Sequence, residues 1–292
     1  MEKTNSILIL DSNSLTHRSY HALPPLSTKQ GEATNAIYGF LLMLFKAIND
    51  FQPRYLAACF DFPSKNFRHD IYNGYKGKRI KAPDELYTQI PKIKEILGIV
   101  GIKIYEKQGV EADDLIASIA SSVKGVKKVI VSGDLDNTQL VDEETIVYSS
   151  GKKIKDTLVY DRQKVLERFG VFPENIVDYK SLVGDSSDNI PGGKGIGPKK
   201  AVELIKEHGG IIPLLEKIEK GESWDLDDKN KKLLLENRES IRMSYTLAKM
   251  RTDCLPEFSL EECEWLPKNK DQAINWLTRY ELYTLISRLP FE

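Results

Sequence analysis

The stretch ILILD, residues 7–11, joins four consecutive apolar residues directly to an aspartate. Three more short apolar runs follow at residues 55–60, 102–105 and 129–131. The segments between the runs repeat their apolar residues at helical spacing, most clearly over residues 36–48. Buried strands that alternate with helices are typical of a parallel sheet with helices on both faces. The sequence therefore predicts an α/β fold with a parallel-rich central sheet.

From about residue 161 the pattern changes to helices separated by glycine and proline. We predict these helices over residues 161–169, 173–182, 198–208, 229–250 and 271–287. Pro173 and Pro198 fit first turns, and Gly170 and Gly209 fit C-terminal stops. We therefore expect an α/β region over residues 1–160 and a helical region over residues 161–292.

The overall charge conceals an uneven distribution. The chain has 42 Lys and Arg against 43 Asp and Glu, a formal charge of −1. Nine of the acids are assigned below to one site, which leaves 34 acids against the 42 basic residues. A basic protein around an acidic site has this balance, and it is compatible with a nucleic-acid partner.

Several classes of protein are excluded by composition. Cys59, Cys254 and Cys263 have no metal-binding spacing, and a disulfide framework is not indicated either. The four histidines offer little material for imidazole-based metal chemistry. No apolar run approaches the roughly 20 residues of a membrane span. We therefore expect a cytoplasmic protein that does not bind membranes.

Acidic residues follow the predicted strands at the points where the strands end. Asp11 follows the first strand and Asp61 the second, and Asp134 and Asp136 follow the run at residues 129–131. A single aspartate in such a place is usually a turn former or a helix cap. The loops after parallel strands converge on one crevice, however, so acids after three strands indicate a shared site.

Two more acidic groups fit the same site. Glu111, Asp113 and Asp114 fall within one turn at the start of a predicted helix. Asp185 and Asp188 lie three residues apart, on one face if their segment is helical. So many carboxylates repel one another unless cations neutralise them, and oxygen ligands of this kind suit Mg²⁺ or Mn²⁺. The sequence therefore predicts a divalent metal site.

Basic residues are concentrated between about residues 64 and 83, interleaved with Phe67, Tyr72 and Tyr75. The basic residues are Lys65, Arg68, Lys76, Lys78, Arg79 and Lys81. Cations can hold phosphates while bases stack on aromatic rings, which favours a nucleic-acid surface. A solvated charged face is the alternative.

A glycine-rich turn, GGKGIGPKKA at residues 192–201, leads into a predicted helix. Such a turn presents backbone N–H groups and a helix N-terminus to a phosphate. It lacks the Gly-Lys-Ser/Thr ending of a P-loop, and no strand immediately precedes it. Mononucleotide- and dinucleotide-binding folds are therefore not indicated.

Seven blocks of the sequence are similar, in their order, to those of one family. They are RSYHALPPL from Arg18, NAIYGF from Asn35, FRHDIYNGYKGKR from Phe67, GVEADD from Gly109, SGDLD from Ser132, GDSSDNIPG from Gly184 and GIGPKKA from Gly195. Over nearly its whole length the chain resembles the 5′ nuclease domain of bacterial DNA polymerase I and its stand-alone relatives, the flap endonucleases and 5′-3′ exonucleases. This resemblance implies a PIN-like 5′ nuclease fold with a helix-hairpin-helix at about residues 181–208.

The resemblance also implies a phosphodiesterase that uses two Mg²⁺ ions, or Mn²⁺, and cuts near a 5′ end where single strand meets duplex. The family's metal-site carboxylates match Asp11, Asp61, Glu111, Asp113, Asp114, Asp134, Asp136, Asp185 and Asp188. Lys76 and Arg79 match catalytic basic residues of the arch, at about residues 64–83, through which the 5′ strand passes. Three positions depart from the family pattern, Ser12, Leu135 and Lys200, and none of them removes a metal ligand.

The expected partner is DNA with 5′ flaps, nicks or overhangs, or an RNA primer, in replication and repair. We expect contacts with it from Lys65, Arg68, Tyr75, Lys78 and Lys81 of the basic stretch and from Gly195, Ile196, Gly197, Lys199 and Lys200 of the hairpin. The hairpin of relatives also binds a monovalent cation, which implies K⁺ here. We expect a monomer that works with a DNA polymerase.

Two other functions fit parts of the sequence. DLDNT from Asp134 resembles the DxDxT nucleophile motif of haloacid dehalogenase phosphatases. That motif usually opens its domain, whereas here it follows the fourth strand and leaves the other acid pairs unexplained. The basic stretch and hairpin also suit a non-catalytic DNA-binding module, although uncompensated acids would repel DNA.

Overall fold

The computed structural model describes residues 3–150, 157–222 and 226–291. Its centre is a six-stranded sheet. The strands are β1 (Thr4–Asp11), β2 (Pro53–Phe60), β3 (Lys103–Glu106), β4 (Lys127–Val131), β5 (Thr145–Ser150) and β6 (Thr157–Tyr160). Their order is β3-β2-β1-β4-β5-β6, with the first five parallel and β6 antiparallel to β5. The predicted parallel-rich sheet is confirmed.

All four predicted strands are present, and two others were not predicted. The unpredicted β5 has the sequence TIVYSS, a short apolar run at residues 146–148 followed by two serines. The unpredicted β6 has four residues and lies at the sheet edge, where Leu158 and Val159 are exposed. Pairing with β4 and then β5, rather than local sequence, places these two strands.

Helices cover both faces of the sheet. They are α1 (Ser12–Ala22), α2 (Asn35–Phe51), α3 (Phe67–Ile71), α4 (Asp84–Tyr87), α5 (Ile90–Ile99), α6 (Ala112–Ser122), α7 (Arg162–Phe169), α8 (Ile176–Val183), α9 (Pro198–His208), α10 (Ile211–Glu219), α11 (Asp228–Ala248), α12 (Lys270–Arg279) and α13 (Tyr283–Ile286). Short 3-10 helices occur at Leu135–Leu140, Pro173–Asn175 and Glu261–Cys263.

The helix signals in the sequence are confirmed in most places. Gly170 and Gly209 end α7 and α9 with positive φ angles of 77° and 75°, which glycine adopts at little cost. Two predicted helices are wrong in detail. Residues 173–182 form a 3-10 turn followed by α8, and residues 271–287 form two helices, α12 and α13. The break lies at Glu281, whose φ of +57° is incompatible with a continuous right-handed helix.

Alternate residues of β1 face two separate cores. Ile7 and Ile9 pack with α6 to α11, whereas Leu8 and Leu10 pack with α1, α2, α5, α12 and α13. A strand buried on both faces needs the continuous apolar run seen in the sequence. Because α12 and α13 return to the face that carries α2, the helices after residue 161 do not form one layer. A division of the chain at residue 160 therefore stays a prediction.

Cys59, Cys254 and Cys263 are buried free thiols. Within residues 3–150, 157–222 and 226–291, no helix has the length and apolar character that crossing a membrane requires.

Candidate active site

The strand order determines where the predicted acids meet. β1 and β4 are neighbours at the centre of the sheet. The chain continues from β1 to β2 on one side and from β4 to β5 on the other. Open α/β sheets bind ligands at the point where the strand order reverses in this way. Asp11 is the last residue of β1, Asp61 follows β2, and Asp134 lies three residues beyond β4. Together with Asp113 of α6 they line a cleft of about 640 Å³. The structure thus brings together four predicted acids from separate elements.

Asp11 is held in place by the start of α1 and by β4. Its Oδ1 accepts from Ser14 N at 3.1 Å, which caps α1, and its Oδ2 accepts from the Ser132 hydroxyl at 2.6 Å. Burial raises the pKa of Asp11 to about 6, although these two hydrogen bonds act in the opposite direction. The carboxylate is therefore fixed in orientation but poorly compensated in charge.

Asp113 and Asp61 are also poorly compensated. Burial, with the charges of Asp11 and Asp134, raises the pKa of Asp113 well above its usual range. The Asn137 side-chain N–H donates to Asp113 Oδ1 at 3.2 Å. Asn137 Oδ1 is buried without a partner among the described residues. Burial also raises the pKa of Asp61, which accepts from Ala112 N at 2.7 Å.

Asp136 and Asp185 share a cation that sequence reasoning missed, Lys180 of α8. The Lys180 ammonium donates to both carboxylates, at 2.7 Å to Asp185 Oδ2. Burial and the charge of Asp134 raise the pKa of Asp136 to about 7. Burial opposes ionisation of Asp185, but Lys180 and Ser187 outweigh it and lower the pKa to about 2. The signal in the sequence was a lysine one turn before the end of a helix that leads into the acidic loop.

Glu111 and Asp114 bracket the first turn of α6 and meet two basic residues. Arg68 contacts Glu111 at 3.0 Å and Asp114 at 2.7 Å, and Lys76 Nζ lies 2.5 Å from Glu111 Oε1. Burial works against ionisation of Glu111, but Lys76 and Arg68 outweigh it and lower its pKa. These two acids are compensated by protein cations, unlike Asp11 and Asp113.

Asp188 does not share a helical face with Asp185, because the segment that carries both is a turn and not a helix. Residues 184–190 form a turn closed by two backbone hydrogen bonds between Asp185 and Ile190, at 2.9 and 2.8 Å. Asp185 faces Lys180, whereas Asp188 accepts from Tyr75 at 3.1 Å and from Arg79. The turn sends the two carboxylates to different partners.

The residues of the basic stretch fall into three groups: those that line the cleft, those on the exposed surface and those that are buried. Lys76 and Arg79 line the cleft. Lys65, Lys78 and Lys81 are exposed. Tyr75 and Arg68 are only 4% and 2% exposed. The Tyr75 hydroxyl is shared by Glu111 and Asp188, at 3.0 and 3.1 Å. Tyr75 and Arg68 are therefore not exposed for the expected DNA contacts, because hydrogen bonds to Glu111, Asp114 and Asp188 hold them inside the protein.

The hairpin lies between α8 and α9. Gly195 has a φ of +85°, which favours glycine, and Ile196 is buried beneath the turn. Gly197 precedes α9, whose first residue is Pro198. Lys199 is exposed, whereas Lys200 donates to Asn230 at 2.6 Å. Of the two hairpin lysines, Lys199 is the one directed to solvent.

The other side of the cleft comes from α1 and was not predicted. Ser14, His17, Arg18 and His21 line it. Their spacing of three and four residues puts them on one helical face, a polar stripe that the sequence does contain. Burial lowers the pKa of His17, as do the charges of His21 and Arg79, so its imidazole is neutral at pH 7.

The donor set fits divalent metal ions. Asp11, Asp61, Asp113 and Asp134 offer hard oxygen ligands in a place where burial and mutual repulsion disfavour their charge, and a cation would relieve both. In the part of the chain that the structure describes, no three His, Cys, Asp or Glu side chains are already grouped to hold one ion. The oxygens of these four acids accept hydrogen bonds from hydroxyl, amide and backbone N–H groups, whereas Lys76 and Lys180 pair with Glu111, Asp136 and Asp185.

Comparisons with known proteins agree with this architecture. Residues 6–170 match the family described as 5′-3′ exonuclease, N-terminal resolvase-like domain, and residues 171–271 match 5′-3′ exonuclease, C-terminal SAM fold. The 5′-3′ exonuclease of Aquifex aeolicus (strain VF5) is 41% identical over 286 residues, 97% of this chain and 95% of that protein. DNA polymerase I of Bacillus subtilis (strain 168) is 38% identical over 291 residues, 99% of this chain but 33% of the polymerase.

Two solved structures show the same fold at low identity. The T5 D15 protein co-crystallised with metal ions has a TM-score of 0.69 at 18% identity, covering 95% of this chain and 99% of that chain. The catalytic core of Rad2 in complex with DNA substrate has a TM-score of 0.60 at 20% identity, covering 99% and 93%. The predicted nuclease fold is confirmed. With matches across both halves and a full-length relative, the chain belongs to the 5′-3′ exonuclease family, whose members are metal-dependent phosphodiester hydrolases.

Proposed function

We propose that this chain cuts DNA near a 5′ end at a junction between single strand and duplex, in primer removal and repair. One observation carries the proposal: acids from the ends of three strands and from α6 share a cleft with Lys76 and Arg79. Anionic ligands for metal ions and cations for a phosphate thus line the same cleft. Because both 5′-3′ exonuclease domains match this chain, a nuclease is favoured over the phosphatase and the non-catalytic binding module.

We assign Asp11, Asp61, Asp113 and Asp134 as direct candidates for holding two Mg²⁺ ions, with Mn²⁺ as a substitute. Glu111, Asp136, Asp185 and Asp188 would contribute by rotating away from their protein cations or through bridging water. Asp114 gives both oxygens to Arg68, and we assign to it the holding of that arginine instead of an ion. When bound, paired ions activate water and stabilise the leaving oxygen in phosphodiester hydrolysis.

The basic residues supply orientation and charge. Lys76 and Arg79 extend into the cleft from the arch, where they can contact the scissile phosphate and support the charge that develops on it. The exposed Lys65, Lys78 and Lys81 give the outside of the arch a positive surface for the 5′ strand. No side chain is required as a nucleophile in this scheme.

The hairpin would hold duplex without reading its sequence. Backbone N–H groups of Gly195 and Gly197 and the Lys199 ammonium can contact phosphates, which carry no base information. Carbonyl groups of the same turn are candidates for a bound K⁺. We propose that the protein acts as a monomer on flaps, nicks, overhangs or RNA primers, alongside a DNA polymerase.

Product sizing tests the proposed function. The protein is incubated with 5′-labelled flap, nicked and plain duplex DNA of identical sequence, with magnesium and with excess chelator. We expect cleavage near the junction, only with magnesium, and slower cleavage of plain duplex. Equal cutting in chelator, or internal cutting of plain duplex as fast as of flaps, would contradict the proposal.

A further inference from the structure

Arg68 is a buried arginine whose five N–H groups all reach an acceptor. Nε donates to the Leu247 carbonyl at 2.9 Å. Nη1 donates to Glu111 and Asp114 at 3.0 and 2.7 Å. Nη2 donates to Asp114 and the Lys249 carbonyl at 2.8 and 3.0 Å. A guanidinium has five donors in a rigid fork, so Arg68 has none left for a phosphate.

These hydrogen bonds join the catalytic cleft to the end of α11. Glu111 and Asp114 belong to the start of α6, beside the cleft-lining Asp113. Leu247 lies in the last turn of α11 and Lys249 directly follows that helix, where backbone carbonyls lack partners within the helix. Asp114 Oδ1 also accepts from Arg251 N at 2.9 Å. The C-terminal end of α11 is thus anchored on an acidic residue of the site.

A second connection runs through Gln139 from the end of α11 to the 3-10 helix that follows Asp134. Its amide donates to the Ala248 carbonyl at 3.2 Å and accepts from Met250 N at 3.1 Å. Gln139 belongs to the 3-10 helix that carries Asp136. Residues 247–251 therefore contact Glu111 and Asp114 through Arg68, and the 3-10 helix that carries Asp136 through Gln139.

The body of α11 holds the backbone of the hairpin. Asn237 Oδ1 accepts from Lys194 N at 2.7 Å. The Ser240 hydroxyl donates to the Gly192 carbonyl at 2.6 Å, and the Ser244 hydroxyl accepts from Gly192 N at 3.0 Å. Spacings of three and four residues place the three side chains on one face of α11. One helix therefore contacts the hairpin along its side and the acids at its end.

We propose that Arg68 is a positioning residue that fixes Glu111 and Asp114 against α11, and that α11 thereby links duplex bound at the hairpin to the geometry of the cleft. The inference rests on the proposed function, because it requires duplex at the hairpin and cleavage at the cleft. Arg68 acts through Glu111 and Asp114, not on the substrate. Two sites are coupled only if occupation of one changes the equilibrium at the other, which is a measurable property.

Arg68→Lys tests the positioning role. Lysine keeps the charge, but one ammonium cannot replace the five-donor fork. We expect the single-turnover rate at saturating enzyme to fall about tenfold or more, with DNA affinity in chelator within about twofold of wild type. Thermal unfolding is measured in parallel. A loss of rate that matches the unfolded fraction, and disappears on cooling, would show a purely structural role and overturn the proposal.

Asn237→Ala tests the link from a residue that does not line the cleft. We expect a lower rate even when the enzyme saturates the substrate, because the hairpin is no longer held by α11. Thr246→Ala is the matched control on the same helix, since among the described residues its hydroxyl bonds only to Arg242 O of α11, at 3.0 Å. A normal rate at saturation for Asn237→Ala would mean that the hairpin only holds DNA, and the link would be refuted.

The double variant decides whether Arg68 carries the link. We expect the effect of Asn237→Ala on the saturated rate to vanish in the Arg68→Lys background, whereas additive effects would overturn the proposal. Amide hydrogen exchange gives a reading without catalysis. Duplex DNA in chelator should protect residues 111–114 and 247–251 in the wild type, but not in Asn237→Ala at equal occupancy. Failure of the proposed function would appear separately, as a wild type that cuts no junction DNA with magnesium.

Discussion

The Lys180 ammonium lies 2.7 Å from Asp185 Oδ2 in a place where both side chains are about nine-tenths buried, 10% and 12% exposed. Burial lowers the pKa of Lys180, but Asp136 and Asp185 outweigh it and raise that pKa above its usual value. The lysine is therefore charged, and it compensates two acids that α8 and the neighbouring 3-10 helix bring together.

Removing this cation should destabilise the metal-free protein. Lys180→Met leaves two largely buried carboxylates without their cation, which for buried ion pairs costs about 3 kcal/mol or more. We expect a lower unfolding free energy in chelator at neutral pH, partly restored by magnesium. Lys164→Met is the control, because Lys164 pairs with Glu167 on an exposed surface, where such pairs contribute little. Urea unfolding that is unchanged in Lys180→Met would contradict the assigned role.

The raised carboxylate pKa values predict a pH-dependent stability. Asp11 and Asp136 have folded-state pKa values of about 6 and about 7, above the usual 3.8. Folding therefore favours their protonated forms, and this contribution is complete below about pH 4 and is lost as pH rises to about 7. Asp185, with a pKa lowered to about 2, contributes in the opposite direction: its contribution is complete above about pH 4 and is lost as pH falls to about 2.

Magnesium should reverse the loss at neutral pH, since a bound cation favours ionised carboxylates. We expect magnesium to raise the thermal midpoint more at about pH 7.5 than at about pH 5. The measurement is a pair of melting curves at each pH, with magnesium and with chelator. Equal stabilisation at both pH values would show that these acids do not bind the ion.

Much of this site was predictable because strand ends are predictable. Each acid after an apolar run reached the carboxyl edge of the sheet, as Asp11 and Asp61 show. The partners were not predictable, because they depend on which elements pack together. Arg68 and Tyr75 belong to a stretch with the composition of a DNA surface, yet both are buried and donate to Glu111 at the start of α6. Lys180 gave only a weak signal, since one lysine in a helix usually faces solvent.

Lys76 should affect the chemical step more than DNA affinity. It lines the cleft, and its loss removes positive charge beside the reacting phosphate. We expect the single-turnover rate of Lys76→Ala to fall by about 10² to 10³, as when one transition-state donor is lost. Lys78→Ala, in the exposed part of the same arch, should weaken binding but leave the saturated rate unchanged. A normal single-turnover rate for Lys76→Ala would show that the arch serves DNA binding alone.

The two hairpin lysines should differ. Lys199 is exposed, whereas the Lys200 ammonium is occupied by Asn230 at 2.6 Å. We expect Lys199→Ala to weaken duplex binding equally for unrelated sequences and to reduce the salt slope by about one. Lys200→Ala should have the smaller effect. Unchanged affinity and salt slope in Lys199→Ala would show that duplex binds elsewhere.

Asp134→Asn tests the central claim, that the strand-end acids serve catalysis and not folding. Asp134 lines the cleft and accepts from Asp136 N at 2.9 Å. An asparagine oxygen can keep that hydrogen bond, so the change removes a metal ligand and one negative charge at nearly constant shape. DNA affinity by fluorescence anisotropy in chelator is measured beside thermal unfolding and magnesium-dependent cleavage. We predict that cleavage collapses while stability holds and binding holds or tightens, because repulsion of the phosphate is reduced. A parallel loss of binding, stability and cleavage would contradict the assignment of this cleft as the metal-dependent catalytic site.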